Sequence, residues 1–264
     1  MKNGRLLSLG GAIWTVLAYV FLLAPIVVLV FASFDDAAFF RFPPKAYSLR
    51  WYEAAWANAE YRSSLSVSSI VAVLAGLVSV AFGSCAAFAL ARHQFTGSGA
   101  ITAILMSPLV LPLIVWAIPL LQIYSAIGVS GTLLALVLAH AVITMPLTTR
   151  IMISTFERMD PQIEAAAASL GAPPLTVARR ITVPLAMPGL VSSAALSLLV
   201  SFNDVVVSSL IASARWLTFP VRVYAQLRGQ GIDPITLAIG ALIIGLVLVV
   251  VLIGEWFFKW SRQL

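Results

Sequence analysis

The chain of 264 residues contains 16 Lys and Arg but only 10 Asp and Glu, and its mean hydropathy is +1.02. This number of charges is too small to cover the surface of a soluble domain of this length. The composition therefore excludes a soluble enzyme and indicates a membrane protein. The net charge of +6 does not indicate nucleic-acid binding, because the basic residues are scattered along the flanks of apolar stretches. The single cysteine, Cys85, excludes an intrachain disulfide.

Apolar stretches of membrane-spanning length follow one another along the chain. The first runs from Leu6 to Phe34 after Lys2 and Arg5. It is longer than the apolar region of a signal peptide and is followed by no small-residue cleavage site, which predicts a retained first span. The segment at about 35–62 is polar and aromatic and is predicted to be external, and the uncharged stretch Ser63–Ala91 predicts span two.

The third apolar stretch, Ala100–Thr149, is about twice as long as one span requires. The turn sequence IGVSGT at 127–132 divides it into spans three and four. Pro108, Pro112 and Pro119 lie within span three. Because proline removes a backbone donor and clashes with the preceding turn, we expect this span to be bent or interrupted.

Two more apolar stretches complete the chain. Span five is predicted from about Ala186 to Ala212, a polar external segment covers 213–233, and span six runs from Pro234 to Gly254. We therefore expect a single transmembrane domain over 1–264, all-helical and with six spans.

Six spans place both termini on one side of the membrane. The tight loop at 92–99 is basic, whereas the loop at 125–132 carries no charge. The positive-inside rule therefore favours cytoplasmic termini and a cytoplasmic location for the polar segment at about 150–185.

The sequence PQIEAAAASLGAPPLTVARRITVP at 161–184 is the most distinctive part of that segment. Asp160 followed by Pro161 predicts a helix start, because Asp accepts hydrogen bonds from free N–H groups and proline suits the first helical position. Gly171 is expected to end this helix in the left-handed conformation. The proline pair that follows should bend the chain and begin a second short helix that ends before Pro184.

The first of these helices has an apolar face of unusually small side chains. Ile163, Ala167 and Leu170 are spaced at i, i+4 and i+7. A helix with so little side-chain bulk can enter a groove of another protein with little loss of side-chain entropy. Packing against the membrane face of its own chain is the alternative, and the residues alone leave both open.

The segment resembles the cytoplasmic EAA loop of binding-protein-dependent ABC importer permeases. In that family the motif is EAA, three residues, Gly, and about nine residues to an I-x-L-P ending. Here EAA begins at Glu164, the glycine is Gly171 and ITVP ends at Pro184. Glu164 lies one residue further from the glycine than is usual, so that Ala165 occupies the usual glutamate position.

The resemblance extends over nearly the whole chain. RFPPKAYSLRWYEA after span one, SFNDVVVSS in span five and LTFPVRVYAQLRGQGIDPITLAIGALII into span six are similar to the spermidine/putrescine-type permease subunits. The resemblance implies a MetI-like type I ABC importer permease fold in the bacterial inner membrane. It also implies four partners: a second and different permease, a cytoplasmic ATPase dimer, a periplasmic substrate-binding protein and membrane lipid. The chain has no G-x-x-x-x-G-K-[ST] motif, so no cofactor of its own is expected, and ATP and Mg²⁺ would bind the ATPase.

The resemblance also implies an ATPase-coupling site in the cytoplasmic segment, with Leu170 filling a groove of the ATPase. Its predicted residues are Ile163, Glu164, Ala165, Ala166, Ala167, Leu170, Gly171 and Pro174.

A polar stripe on span five is the first candidate for a substrate path. At 100° per residue its five members fall within about 80° of arc, over a rise of about 22 Å. A carboxylate within a span is costly and usually faces a cavity or a partner, which favours a water-accessible path, although serines also mediate helix packing. The stripe consists of Ser193, Ser197, Ser201, Asp204 and Ser208.

Three further residues belong to the candidate path. Asn203, beside the stripe, replaces the first of two adjacent acids that polyamine permeases often carry, which leaves a mono-amine or zwitterion open as solute. His140 begins a polar line with Thr144 and Thr148, although an interhelical hydrogen bond is the more frequent role of such a histidine. Trp116 could contact a ligand, with packing as the alternative.

The function predicted from the sequence is a non-enzymatic permease subunit for a polyamine or related amine-bearing solute, without catalytic or metal site. The same family could instead import an aminophosphonate, an amino-acid derivative, or another zwitterion or anion. An ATP-independent carrier fits the hydropathy equally well. The sequence GVSG around Ser130 also suggests a membrane serine protease with His140, but ten helical residues would separate that pair by about 15 Å.

Overall fold

The computed structural model describes the backbone of residues 2–93, 95–229, 231 and 233–258, and the side chains of those between 11 and 249. This part of the chain is helical and contains no named strand, which confirms the all-helical prediction. A π-helical segment (Ala178–Thr182) connects α8 to α9, and a 3₁₀ turn (Ala214–Trp216) lies between α10 and α11. The α-helices are α1 (Lys2–Ser33), α2 (Arg50–Ala57), α3 (Ala59–Arg92), α4 (Ser98–Val110), α5 (Leu113–Ala126), α6 (Leu133–Arg158), α7 (Pro161–Ser169), α8 (Pro174–Val177), α9 (Val183–Asn203), α10 (Val206–Ile211), α11 (Phe219–Gly229) and α12 (Pro234–Phe258).

Four helical stretches in the described residues are long and apolar enough to cross a membrane: Gly11–Ser33, Ala59–Arg92, Leu133–Arg158 and Pro174–Asn203. They correspond to predicted spans one, two, four and five. The pair α4 and α5 qualifies only as a bent unit and corresponds to span three. Helix α12 corresponds to span six, and its described side chains, Pro234–Val249, form a shorter apolar helix.

Span three is interrupted, as its prolines predicted. Helices α4 and α5 meet at an angle of 107°. Leu111 and Pro112 between them are extended, with ψ values of 145° and 138°. Pro112 favours this conformation in the residue before it and has no N–H to continue the helical ladder.

The helices form two compact units. The first consists of the residues up to Arg62 together with those from Ala225 onward. In this unit α12 packs against both α1 and α2. The Tyr61 hydroxyl lies 2.9 Å from Thr236 Oγ1 in a hydrogen bond that ties the start of α3 to α12.

The second unit, Ser63–Tyr224, is organised around α6. Helix α9 packs along α6, and the two backbones approach closely at Gly189, where an added Cβ would overlap the side chain of Thr155. Helix α3 approaches α6 in the same way at Gly83, where a Cβ would lie 2.9 Å from Thr148 Cγ2. Small residues that allow close backbone approach are the usual means of helix association in membranes.

Helix α6 extends past residue 150, where the predicted polar segment begins, and ends at Arg158. One predicted helix end in this part of the chain is wrong. The second short helix does not end before Pro184, because the π segment carries it directly into α9. In that segment Val183 N donates to Ala178 O, five residues back, and this wider turn accommodates a proline that has no N–H of its own.

Candidate functional site: a buried polar seam and a coupling segment

Span five is broken at Asp204, so the prediction of one continuous helix is wrong. Helix α9 ends at Asn203, and Asp204 is extended with φ −70° and ψ 129°. Its carboxyl group accepts hydrogen bonds from Val207 N at 3.3 Å and Ser208 N at 2.8 Å. Asp is favoured at such positions because its short side chain satisfies the free N–H groups that begin a helix.

His140 of α6 joins the polar residues on both sides of this break. Its Nδ1 lies 2.7 Å from Ser201 Oγ at the end of α9. Its Nε2 lies 2.9 Å from Ser208 Oγ in α10 and 3.7 Å from Asp204 Oδ2. An imidazole can donate from one ring nitrogen and accept at the other, and a serine hydroxyl can take either role. The interhelical hydrogen bond expected of His140 is therefore confirmed.

Of the other two stripe residues, Ser193 donates to Leu190 O within its own helix, and Ser197 contacts α6. Thr148 Oγ1 lies 2.9 Å from Ser197 Oγ. Thr144 donates to His140 O and is hydrogen-bonded to Ser79 of α3. Every member of this set is buried, with Asp204 the most exposed at 7%. We call the set the polar seam: His140, Thr144, Thr148, Ser193, Ser197, Ser201, Asp204 and Ser208.

The remaining two path candidates lie apart from the hydrogen bonds of the seam. Asn203 is exposed, and its Nδ2 donates to Leu199 O within its own helix, so it lies beside the stripe as its angular position predicted. Trp116 in α5 is half-buried, and its Nε1 has no hydrogen-bond partner among the described residues. A place for any of these side chains in a substrate path stays a prediction.

We call α7, the bend and α8 the coupling segment. The Asp160 side chain accepts a hydrogen bond from Gln162 N at 2.9 Å and caps α7, as predicted. The helix ends at Gly171 with φ +83°. Gly171 N donates to Ala168 O and Ala172 N to Ala167 O, which is the double hydrogen bond of a Schellman motif.

The apolar side chains of the coupling segment point away from the chain. Leu170 is 89% exposed, Ile163 is 46% exposed, and α7 contains no buried residue. The apolar side chains of α7 therefore do not pack against the membrane face of this chain, which was the alternative to docking. Leu175, 80% exposed in the first turn of α8, lies within the predicted coupling loop but was not named among its contact residues. Its place directly after Pro174, where α8 begins, was the signal that could have identified it.

Glu164 differs from its neighbours in α7, because its carboxylate contacts the chain itself. Thr182 Oγ1 donates to Glu164 Oε1 at 2.6 Å, and Arg92 Nε donates to Oε2 at 3.2 Å. The adjacent Ala165 and Ala166 are exposed, whereas Glu164 is largely covered. A direct contact of these α7 residues with an ATPase stays a prediction.

Residues 79–263 match the family described as binding-protein-dependent transport system inner membrane component. The chain belongs to this family. The permease is 31% identical over 237 residues to the spermidine/putrescine transport system permease protein PotC of Haemophilus influenzae, covering 90% of this chain and 91% of that protein. It is 29% identical over 238 residues to the putrescine transport system permease protein PotI of Escherichia coli K12, covering 88% and 84%.

A solved structure has the same fold as this permease. It is a crystal structure of a bacterial ABC transporter involved in the import of the acidic polysaccharide alginate, with a TM-score of 0.79 over 98% of each chain at 18% identity. The family and this fold together confirm the MetI-like ABC importer permease predicted from the sequence. The relatives are transport permeases, in agreement with the prediction that the chain is not an enzyme.

Proposed function

We propose that this permease forms half of the translocation path of an ATP-driven importer and docks its coupling segment into a separate cytoplasmic ATPase. The observation that supports docking is the exposure of Leu170 and Leu175 on a segment whose backbone is held by a cap, a Schellman motif and an ion pair. Burying one leucine side chain contributes about 1.5–3 kcal/mol. Because the backbone is already ordered, little of that free energy is lost on binding.

The partners in this proposal are those of the family. A second permease of different sequence completes the path, an ATPase dimer receives the two coupling segments, and a periplasmic binding protein delivers the solute. The coupling segment then lies in the cytoplasm with both termini of the chain.

The solute in this proposal is a polyamine or a related amine-bearing molecule. The relatives named for spermidine and putrescine support it, as does Asp204, a carboxyl group within a membrane segment. In the solute-admitting conformation α10 separates from α6, which gives the solute access to Asp204.

A zwitterion or mono-amine is the second candidate, favoured by Asn203 in place of a second acid. Aminophosphonates and amino-acid derivatives belong to this group. The fold itself does not determine the charge of the solute, since a neighbour with the same fold serves the import of an acidic polysaccharide.

Reconstitution into proteoliposomes tests the proposal. The complete complex should take up spermidine or putrescine only when ATP is present on the side of the membrane that carries the ATPase. Uptake by the permease pair without any ATPase would overturn it in favour of an ATP-independent carrier. Uptake of amino-acid derivatives but not of polyamines would favour the zwitterion candidate.

Docking is tested separately by co-purification of the ATPase. Leu170→Asp should abolish co-purification, because a carboxylate would have to be desolvated in an apolar groove. Leu49→Asp is the matched control, since Leu49 is also exposed but lies in the segment predicted to be external. Normal co-purification with Leu170→Asp would contradict the docking proposal.

A further inference from the structure

Arg92 occupies a point at which the cytoplasmic ends of several helices meet. It is the last residue of α3. Its Nη1 donates to Phe156 O at 2.9 Å and its Nη2 to Met159 O at 3.3 Å, both at the end of α6. These carbonyls lie at a helix terminus, where the α-helical ladder leaves acceptors without partners. The planar guanidinium therefore caps α6 from the side of α3.

The third donor of Arg92 reaches the coupling segment. Arg92 Nε donates to Glu164 Oε2 in an ion pair whose side chains are only 11% and 16% exposed. Such a partly buried pair is screened by salt much less than a surface pair. The other carboxylate oxygen accepts from Thr182 Oγ1, and Thr182 is the last residue of the π segment that leads into α9.

One carboxylate of α7 is thus bonded to the ends of α3 and α9, and through Arg92 to α6. Beneath it, an apolar cluster of Ala87, Met152, Phe156 and Ala186 packs the same three helices together. The contrast with the rest of α7 is sharp, because this helix buries none of its residues. Within the described part of the chain, Glu164 makes the side-chain bonds that attach α7 to the spans.

We infer that Arg92, Glu164 and Thr182 form a joint that transmits the displacement of the coupling segment to α3, α6 and α9. We call it the Glu164 joint. The inference rests on the proposed docking of α7 into an ATPase. When the ATPase displaces α7, the Glu164 carboxylate moves with it. Through its bonds, α3, α6 and α9 are then displaced together. Arg92 and Thr182 act through Glu164 and are positioning residues.

A distance measurement tests the joint without any solute. The complete complex, with cysteine-free partner subunits, receives spin labels at native Cys85 in α3 and at Ser169→Cys in α7. Both sites are exposed. The label distance should stay the same with and without a non-hydrolysable ATP analogue. In Glu164→Gln and in Thr182→Val it should shift and broaden when the analogue binds, because α7 then moves without α3.

Two controls separate the joint from general disturbance. Thr182→Ser keeps the hydroxyl donor and should behave as the parent protein. Glu157→Gln makes the same chemical change on an exposed carboxylate at the same end of α6 and should leave the distance unchanged. If Thr182→Val fails to accumulate in membranes, Glu164→Gln decides the outcome, since it preserves the side-chain shape.

The functional readout is the number of ATP molecules hydrolysed per spermidine taken up. Glu164→Gln should raise this ratio several-fold while the ATPase still co-purifies. A parental distance together with a parental ratio would overturn the inference and leave the docking proposal intact. Failure of docking would appear differently, as normal co-purification in Leu170→Asp.

Discussion

The polar seam and the coupling segment belong to the same compact unit, yet their surroundings are opposite. No member of the seam is more than 7% exposed, and the helices that carry it approach at glycines. The coupling segment buries no residue in α7 and presents leucines that are 80% and 89% exposed. This difference fits the two proposed roles, in which the coupling segment is a docking surface formed before its partner arrives and the seam is a solute path that stays closed when no solute moves.

The two regions also differ in the kind of bond that holds them: the seam has neutral hydrogen bonds, and the coupling segment has an ion pair. The seam is held between helices by hydroxyl and imidazole groups, in pairs such as His140–Ser201, His140–Ser208 and Thr148–Ser197. Such bonds average about 0.6 kcal/mol each in a membrane protein, so three of them contribute about 2 kcal/mol. In the Glu164 joint one carboxylate accepts from both the Arg92 guanidinium, in an ion pair, and the Thr182 hydroxyl. The seam is therefore suited to opening and the joint to transmitting force.

The largest effect is expected for Gly171→Leu, which removes the bend of the coupling segment. A leucine at φ +83° costs about 1–2 kcal/mol in left-handed backbone strain and redirects the chain towards α8. ATP-driven uptake of spermidine should be lost while the protein remains in the membrane by immunoblot. Gly99→Leu is the control, because a side chain there meets open space without positive φ. Normal uptake by Gly171→Leu would contradict the coupling role.

Asp204→Asn should have the next largest effect and addresses the seam. The amide keeps an oxygen that can accept from Ser208 N, so the local structure should survive while the negative charge is lost. Uptake of spermidine should fall roughly tenfold, equivalent to about 1.4 kcal/mol, with ATPase co-purification unchanged. Asn203→Asp should act in the opposite direction and raise the preference for spermidine over a mono-amine. Unchanged kinetics in Asp204→Asn would remove this residue from the path.

Gly189→Ala tests whether the close approach of α9 to α6 keeps the seam closed. The added methyl group would overlap Thr155, and overpacking of this kind typically costs about 1–3 kcal/mol. We expect a lower thermal stability of the detergent-solubilised protein. Gly76→Ala is the matched control, since its Cβ would lie 3.6 Å from the nearest atom, in the Leu198 side chain. Equal stability of the two variants would show that the approach is not tight.

Thr148→Val should have a smaller effect, because it removes one hydrogen bond of the seam while preserving shape. The loss of the bond to Ser197 should lower the stability by about 0.6 kcal/mol, and Thr148→Ser should restore it. A loss as large as that of Gly189→Ala would mean that hydrogen bonding, and not packing, holds the seam.

The smallest effect concerns Asp35, outside both regions. The hydrogen-bonded guanidinium of Arg41 holds the pKa of this carboxyl group below its usual value. Because the pKa is lowered on folding, the stabilisation is present above the ordinary aspartate pKa and is lost as the pH falls through the folded pKa. Asp35→Asn should therefore weaken the acid dependence of the thermal midpoint. An unchanged profile would show that the Asp35–Arg41 pair does not contribute to the acid dependence of stability.

Local chemistry in the coupling segment was predictable, whereas its long-range contacts were not. Asp160 and Gly171 act on backbone groups within a few residues of themselves, so capping and bend follow from residue type. The partner of Glu164 in α3 is 72 residues away, and no spacing rule connects them. The exposure of Leu175 was missed for a similar reason, because an apolar residue in a short helix is as compatible with burial as with docking.

The sequence by itself determined the apolar spans, the proline break of span three, the capped helix of the coupling segment and the family, because each depends on local residue type or on a contiguous motif. The tertiary structure decided what the polar residues of the spans face. Periodicity aligned the serines of span five but could not detect that Asp204 ends α9, since a carboxyl group can serve as a cap or as a side chain within a helix. The tertiary structure also decided that His140 bonds to both sides of the break in span five and that Glu164 bonds to Arg92 and Thr182 of its own chain. Both depend on side chains brought together from distant parts of the chain.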